Sequence, residues 1–242
     1  MSYLAAMIAA APSGAAPSAP AFDDPGAVTA GFEAGTPTSV TSNTISLVSG
    51  QRALLMFSQM RGNAASPSTN RTVSTLAGTG DFTSIALGDW TIHEELVQRD
   101  DADQGGVGAY IATWVSTITG TGAFTLTWSG SVWATLNEAH VLPACDMIDS
   151  DSIGGNNAAV SVAPTFAATP AAGALIFSVA VQRADTAFGV PTGFTASANA
   201  SGAIHNRHRT AWRNGGAAAA TTWSGMDNEH PIVAAAAQFR RT

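Results

Sequence analysis

The strongest constraint on this chain is a pair of segments that each occur twice. An apolar run, Ala53-Leu54-Leu55-Met56-Phe57-Ser58, returns as Ala174-Leu175-Ile176-Phe177-Ser178. A Thr127-Trp128-Ser129-Gly130 end returns as Thr222-Trp223-Ser224-Gly225, and a further apolar run follows each after a few polar residues. Short apolar runs bounded by Gly and Ser read as strands. Phe124, Leu126 and Trp128 alternate with polar residues, which places them on one face of a strand and marks Trp128, with its counterpart Trp223, as a core side chain. Two copies fall short of a solenoid array. The reading is all-β: two tandem antiparallel β-sandwich units, jelly-roll or Ig-like, at residues 31–149 and 150–242. The first copy is longer, with its extra residues in Gly62–Leu76 and Asp89–Gly106.

Between the repeated pieces the pattern stays extended. Ser39–Leu47 and Arg52–Met60 read as strands, and Val107–Ile118 as a long one with Tyr110, Ala112 and Trp114 opposite Ile111, Thr113 and Val115. Trp90–Gln98 is a strand whose Trp90, Ile92, Glu94 and Val97 do not settle on one face. Short strands separated by Gly-containing turns belong to sandwiches and barrels. Asp146–Asn157, with Asp146, Asp149 and Asp151, reads as a polar connector between the halves.

Residues 1–30 differ from the rest. Pro12, Pro17, Pro20 and Pro25 each remove a donor and hold the preceding residue extended, so this Ala/Pro-rich stretch is an arm and not a packed element. Met1–Ile8, ahead of the first proline, reads as a short helix. An arm of this kind gains order from a neighbouring subunit, and Tyr3 and Leu4 are its partner-binding candidates. The segment lacks the positive n-region of a signal peptide, and no apolar run approaches the ~20 residues that span a bilayer, so neither cleavage nor membrane insertion is expected.

Charged residues make up 11% of the chain, against roughly 25% in ordinary soluble domains. The surface therefore depends on Ser, Thr, Asn, Gly and Ala, as suits a chain largely covered by neighbours or one that works outside a crowded cytoplasm. A net charge of −7 opposes a phosphate backbone and argues against nucleic-acid binding. All ten basic residues are arginines. Cys145 is the single cysteine, so an intrachain disulfide or a thiolate metal cluster is ruled out.

A wider pattern runs through the same residues: glycines ahead of the apolar strands (Gly50, Gly173), the Gly88-Asp89-Trp90 and Thr192-Gly193-Phe194 segments, a long aromatic strand, the Thr-Trp-Ser-Gly end and a final Ala/Val-rich strand. In this the chain resembles the small β-sandwich structural proteins of tailed-phage and prophage-like virion modules. The resemblance covers both halves and not the arm. It implies a virion component (head decoration, spike or tail appendage) whose partners are other virion proteins or copies of itself, and it supplies no catalytic residue.

No Gly-x-Ser-x-Gly elbow is present, and Ser129 and Ser224 lie in turns where hydroxyls satisfy backbone groups. No enzyme is expected. Asp101 and Asp103, before Gly105, alternate as carboxylates that would suit Ca²⁺, but without EF-hand spacing they read as a solvated acidic loop and no cofactor is assigned. Glu138 and His140 are two apart and share a face; His205 and His208 do not. Arg207, Arg209 and Arg213 form the only basic cluster and are candidates for clamping carboxylates of an adjacent subunit. Trp90 and Trp133 are the candidate surface indoles, and they carry the alternative function, a carbohydrate-binding or adhesion module that stacks on a host surface glycan.

Overall fold

The computed structural model describes residues 30–61, 71–99, 106–155, 160–170, 173–184, 186–201, 207–214, 221–226 and 231–241. The first half contributes β1 (Gly31–Ala34), β2 (Ser39–Thr41), β3 (Ile45–Leu47), β4 (Arg52–Arg61), β5 (Val73–Gly78), β6 (Thr91–Arg99), β7 (Gly106–Val115), β8 (Gly120–Gly122), β9 (Phe124–Trp128) and β10 (Ala134–Leu142). The second contributes β11 (Cys145–Gly155), β12 (Ser161–Val162), β13 (Leu175–Gln182), β14 (Thr195–Ser201), β15 (Arg207–Asn214), β16 (Trp223–Ser224) and β17 (Ile232–Arg241). Two short 3₁₀ turns, Gly80–Phe82 and Leu87–Asp89, complete the described structure. The fold is all-β and every strand pairing is antiparallel.

The sequence repeat is a repeat of topology. One five-stranded sheet runs β1-β10-β4-β7-β6 and the other β11-β17-β13-β15-β14, so the two apolar strands, β4 and β13, are each the central strand of a sheet. The Trp-bearing strands also correspond, since β9 pairs with β2 and β16 with β12. Ahead of β4 and β13, Gly50 and Gly173 hold φ of 92° and 82°, a left-handed turn that a side chain would strain. Leu54 and Met56 face the same way as Leu175 and Phe177, so Ala53 is the counterpart of Ala174. Matching Ser58 to Ser178 instead slips the register by one, which turns a strand over. Ser178 faces the outer core around Trp223, whereas Ser58 faces His208.

The large sheets pack on each other. Leu54, Met56, Val107 and Ile111 of the first meet Phe177, Val179, Val233 and Phe239 of the second in one buried cluster. Each sheet is covered on its outer face by its own small layer. Trp128, Phe124 and Phe82 lie over Phe57 and Tyr110 in the first half, and Trp223 and Phe188 lie over Ala180 and Ala234 in the second. Both tryptophans are core side chains, as the alternation requires, and each indole N–H donates to a sheet hydroxyl: Trp128 to Thr135 at 3.1 Å and Trp223 to Ser178 at 2.9 Å.

Three segments depart from the sequence reading. Of Asp146–Asn157, residues 146–155 are no connector, because β11 pairs along the whole of β17, while Asn156 and Asn157 lie outside the described residues. Asp149 accepts from the Ser150 and Ala168 N–H groups and Asp151 from that of Thr165, so the carboxylates tether the following loop. Ser39–Leu47 is two strands with Asn43 between them, whose amide donates to the Ala139 carbonyl and accepts from the Ala139 N–H as a backbone group would. The mixed pattern of Trp90–Gln98 comes from a bulge between Ile92 and Glu94. An inserted residue reverses the alternation, so Ile92 enters the outer core and Leu96 the core between the sheets.

Candidate functional site

Chemistry-bearing side chains gather at one place, in the interface between the large sheets. On β10, period-2 alternation turns Leu136, Glu138, His140 and Leu142 away from the outer core that Asn137 and Ala139 face. On β15 it sets His208, Thr210 and Trp212 opposite Arg207, Arg209 and Arg213. On β14 a bulge between Ala196 and Ala198 leaves Ser197 as the extra residue. A bulged residue is re-aimed, and Ser197 reaches across to β10.

These side chains converge on one carboxylate. Glu138 Oε1 accepts from the His140 Nε2–H and from the Ser197 hydroxyl, while Oε2 accepts from the Thr210 hydroxyl. Ser197 Oγ also lies 3.2 Å from His140 Nε2. Glu138 is fully buried, His140 is 2% exposed, and the His140 ring packs 4.9 Å from that of Phe177. A second contact lies beside the first: Ser58 Oγ is 2.7 Å from His208 Nδ1, with the Phe32 ring edge-on to the imidazole. The first half supplies Glu138, His140 and Ser58, and the second supplies Ser197, Thr210 and His208.

Ser, His and Glu in contact invite comparison with a hydrolytic triad. In a triad the acid bonds one imidazole nitrogen and the nucleophile the other, so that the ring passes a proton between them. Here Glu138 and Ser197 both meet Nε2. A proton taken from Ser197 has no separate path to the acid, and the group is sealed between sheets. The arrangement pins two β-layers together. The Glu138–His140 pairing was legible from spacing. Ser197 was not, because its role depends on a bulge, whereas the alternation His208, Thr210, Trp212 was an available signal.

No known protein family, no curated protein and no solved structure matches the chain. Its function has to be argued from its own residues.

The remaining candidates lie apart. Arg207, Arg209 and Arg213 share the outer side of β15. Arg209 donates to the Phe188 carbonyl, and burial lowers its pKa. The Arg213 guanidinium stands 6.0 Å from the Phe194 ring centroid. Trp90 is no surface indole: it is 7% exposed and packs edge-on against Phe124 at 4.9 Å, because the turn at Leu87–Asp89 tucks it beneath the outer layer. Trp133 is half-buried, packs against the inter-sheet core, and has the Arg183 guanidinium 5.8 Å over its ring. Tyr3, Leu4, Asp101 and Asp103 lie outside the described residues.

Full burial pushes His208 from 6.5 down to about 3. The folded chain therefore holds this ring neutral where the unfolded chain protonates it, and stability falls with pH from about 6.5 toward 3. The slope is about 1.4 kcal/mol per pH unit for one proton. Unfolding free energies of the native chain and of His208→Gln, from urea titrations at several pH values below 6.5, are expected to diverge with that slope once the unfolded ring is fully protonated. Parallel lines would mean that the ring is not sealed.

Proposed function

We propose that the chain is a non-enzymatic structural component of a phage-like virion, a capsid decoration, spike or tail appendage, that docks through its N-terminal arm. The observation that carries this reading is the use made of the polar clusters. Glu138, His140, Ser197 and Thr210, the grouping nearest to a catalytic one among the described residues, hydrogen-bond one another across the two sheets and are sealed from solvent. A low charge content and a doubled, cross-packed scaffold support the same reading. Arg209 and Arg213 extend it to a second contact, with carboxylates of another virion protein or another copy, for which a guanidinium fork is suited. The glycan-binding alternative is left with Trp133, already faced by Arg183.

Removing residues 1–29 takes away no residue of any described strand. Expressed in the cell that carries this gene after prophage induction, the truncated chain is expected to keep the native melting temperature and to leave the particle band of a density gradient. The full chain is expected to remain in it. Equal recovery of both chains in that band would refute arm docking.

A further inference from the structure

The two large sheets have four edge strands: β1 and β6 in one, β11 and β14 in the other. An edge strand presents unpaired N–H and C=O groups and is protected by charge, brevity or a bulge. β6 carries Glu94, Glu95 and Arg99 and has a bulge at His93. β11 carries Asp146, Asp149 and Asp151 and has a bulge at Ile148. β1 has only 4 residues, one of them Glu33, and beyond its end the Asn43 amide occupies the backbone groups of Ala139.

β14 differs from all three. Its sequence, Thr-Ala-Ser-Ala-Asn-Ala-Ser, has no charged residue and no proline, and no described strand lies along its outer side. Its bulge serves another purpose, turning Ser197 inward to Glu138. Past that bulge, Ala198–Ser201 pair regularly with Thr210–Arg207.

We propose that β14 is a self-association edge, on which the β14 strand of a second copy pairs antiparallel about a two-fold axis and joins two five-stranded sheets into one. The choice of a second copy follows from charge. Like charges directly opposite oppose strand pairing, and in a chain of net charge −7 acidic residues outnumber the basic ones that could offset them. Self-pairing at β11 would bring together its aspartates, with no basic residue on the strand to face them, and at β6 two glutamates outnumber the one Arg99. At β14 the strand itself carries no charge to set against its own copy. A two-fold contact needs one self-complementary patch, which an uncharged antiparallel edge supplies. This pairing stands whether or not the arm docks to a particle.

Ala196 is exposed and outside the buried cluster, so Ala196→Lys places a charge on the edge without disturbing the fold. Sedimentation equilibrium over a concentration series of the full chain is expected to show a monomer–dimer equilibrium. In Ala196→Lys the dissociation constant should rise by about tenfold or more at an unchanged melting temperature. Amide exchange of Ala198–Ser201 should slow with concentration in the native chain only. A native chain that is monomeric throughout would overturn the proposal, as would a dimer that Ala196→Lys leaves intact. Loss of the dimer on removing residues 1–29 alone would also overturn it, by assigning the contact to the arm. Arm-dependent entry into particles by a chain that is monomeric in solution would sink the edge pairing and leave the docking reading standing.

Discussion

Replacing Glu138 with alanine is expected to lower the unfolding free energy by about 3–5 kcal/mol, the usual cost of removing one partner from a buried charged group. The carboxylate accepts from His140, Ser197 and Thr210. Its loss leaves three donors facing each other where water is excluded, and each unsatisfied buried group costs about 1–3 kcal/mol. Glu138→Gln, which keeps the volume and one acceptor oxygen, should cost less than Glu138→Ala. Chemical denaturation followed by circular dichroism measures both. A Glu138→Ala cost under about 1 kcal/mol, typical of an exposed pair, would mean that water reaches the cluster and that the sheets part there. The comparison carries a functional consequence. A cluster kept for catalysis has to admit a substrate, whereas one kept for pinning has to exclude water. A large loss in Glu138→Ala supports the second and the structural reading that rests on it.

How much of this was legible in the sequence depends on the range of each interaction. The central strands, the core positions of Trp128 and Trp223, and the face of Tyr110, Ala112 and Trp114 follow from period-2 alternation, which local sequence carries. The pairing of Glu138 with His140 follows from the same rule. What local sequence does not carry is how sheets stack. Leu54 and Phe177 lie in the apolar runs of either half, and nothing in their own segments says that they enclose one shared core. Bulges hide the rest. One extra residue at His93 reverses the face of everything after it, and one at Ser197 sends a loop-like serine into the interior. Asp149 and Asp151 read as a connector for a related reason: a strand carries carboxylates where nearby loop N–H groups take them up. Trp90 looked unconstrained because the turn that buries it has no alternation to read.

Trp128→Ala and Trp223→Ala form a matched pair, each expected to cost about 3–5 kcal/mol through the cavity left in an outer core. The sites are equivalent in topology. Each indole plugs its own half, and the hydroxyl it donates to is also held by the backbone, Thr135 by the Ser58 carbonyl and Ser178 by that of Ala235. Neither variant therefore strands a buried hydroxyl, and the loss in each is mainly packing. Their value lies in the shape of the transition. The inner faces of the sheets, Leu54, Met56 and Ile111 on one side and Phe177, Val179 and Val233 on the other, are buried only against each other. Freeing either half would expose several such side chains, at about 1.5–3 kcal/mol apiece, which exceeds the damage done by one lost indole. Each variant should then unfold in a single step, with secondary and aromatic circular dichroism moving together at a lowered midpoint. Two separated steps, with Trp223→Ala shifting one and Trp128→Ala the other, would show that each half stands alone and that the shared core is a contact between finished domains. One common step instead ties the outer plugs to the inner seam, because the cost of opening that seam is what makes a defect in one half felt by the whole chain.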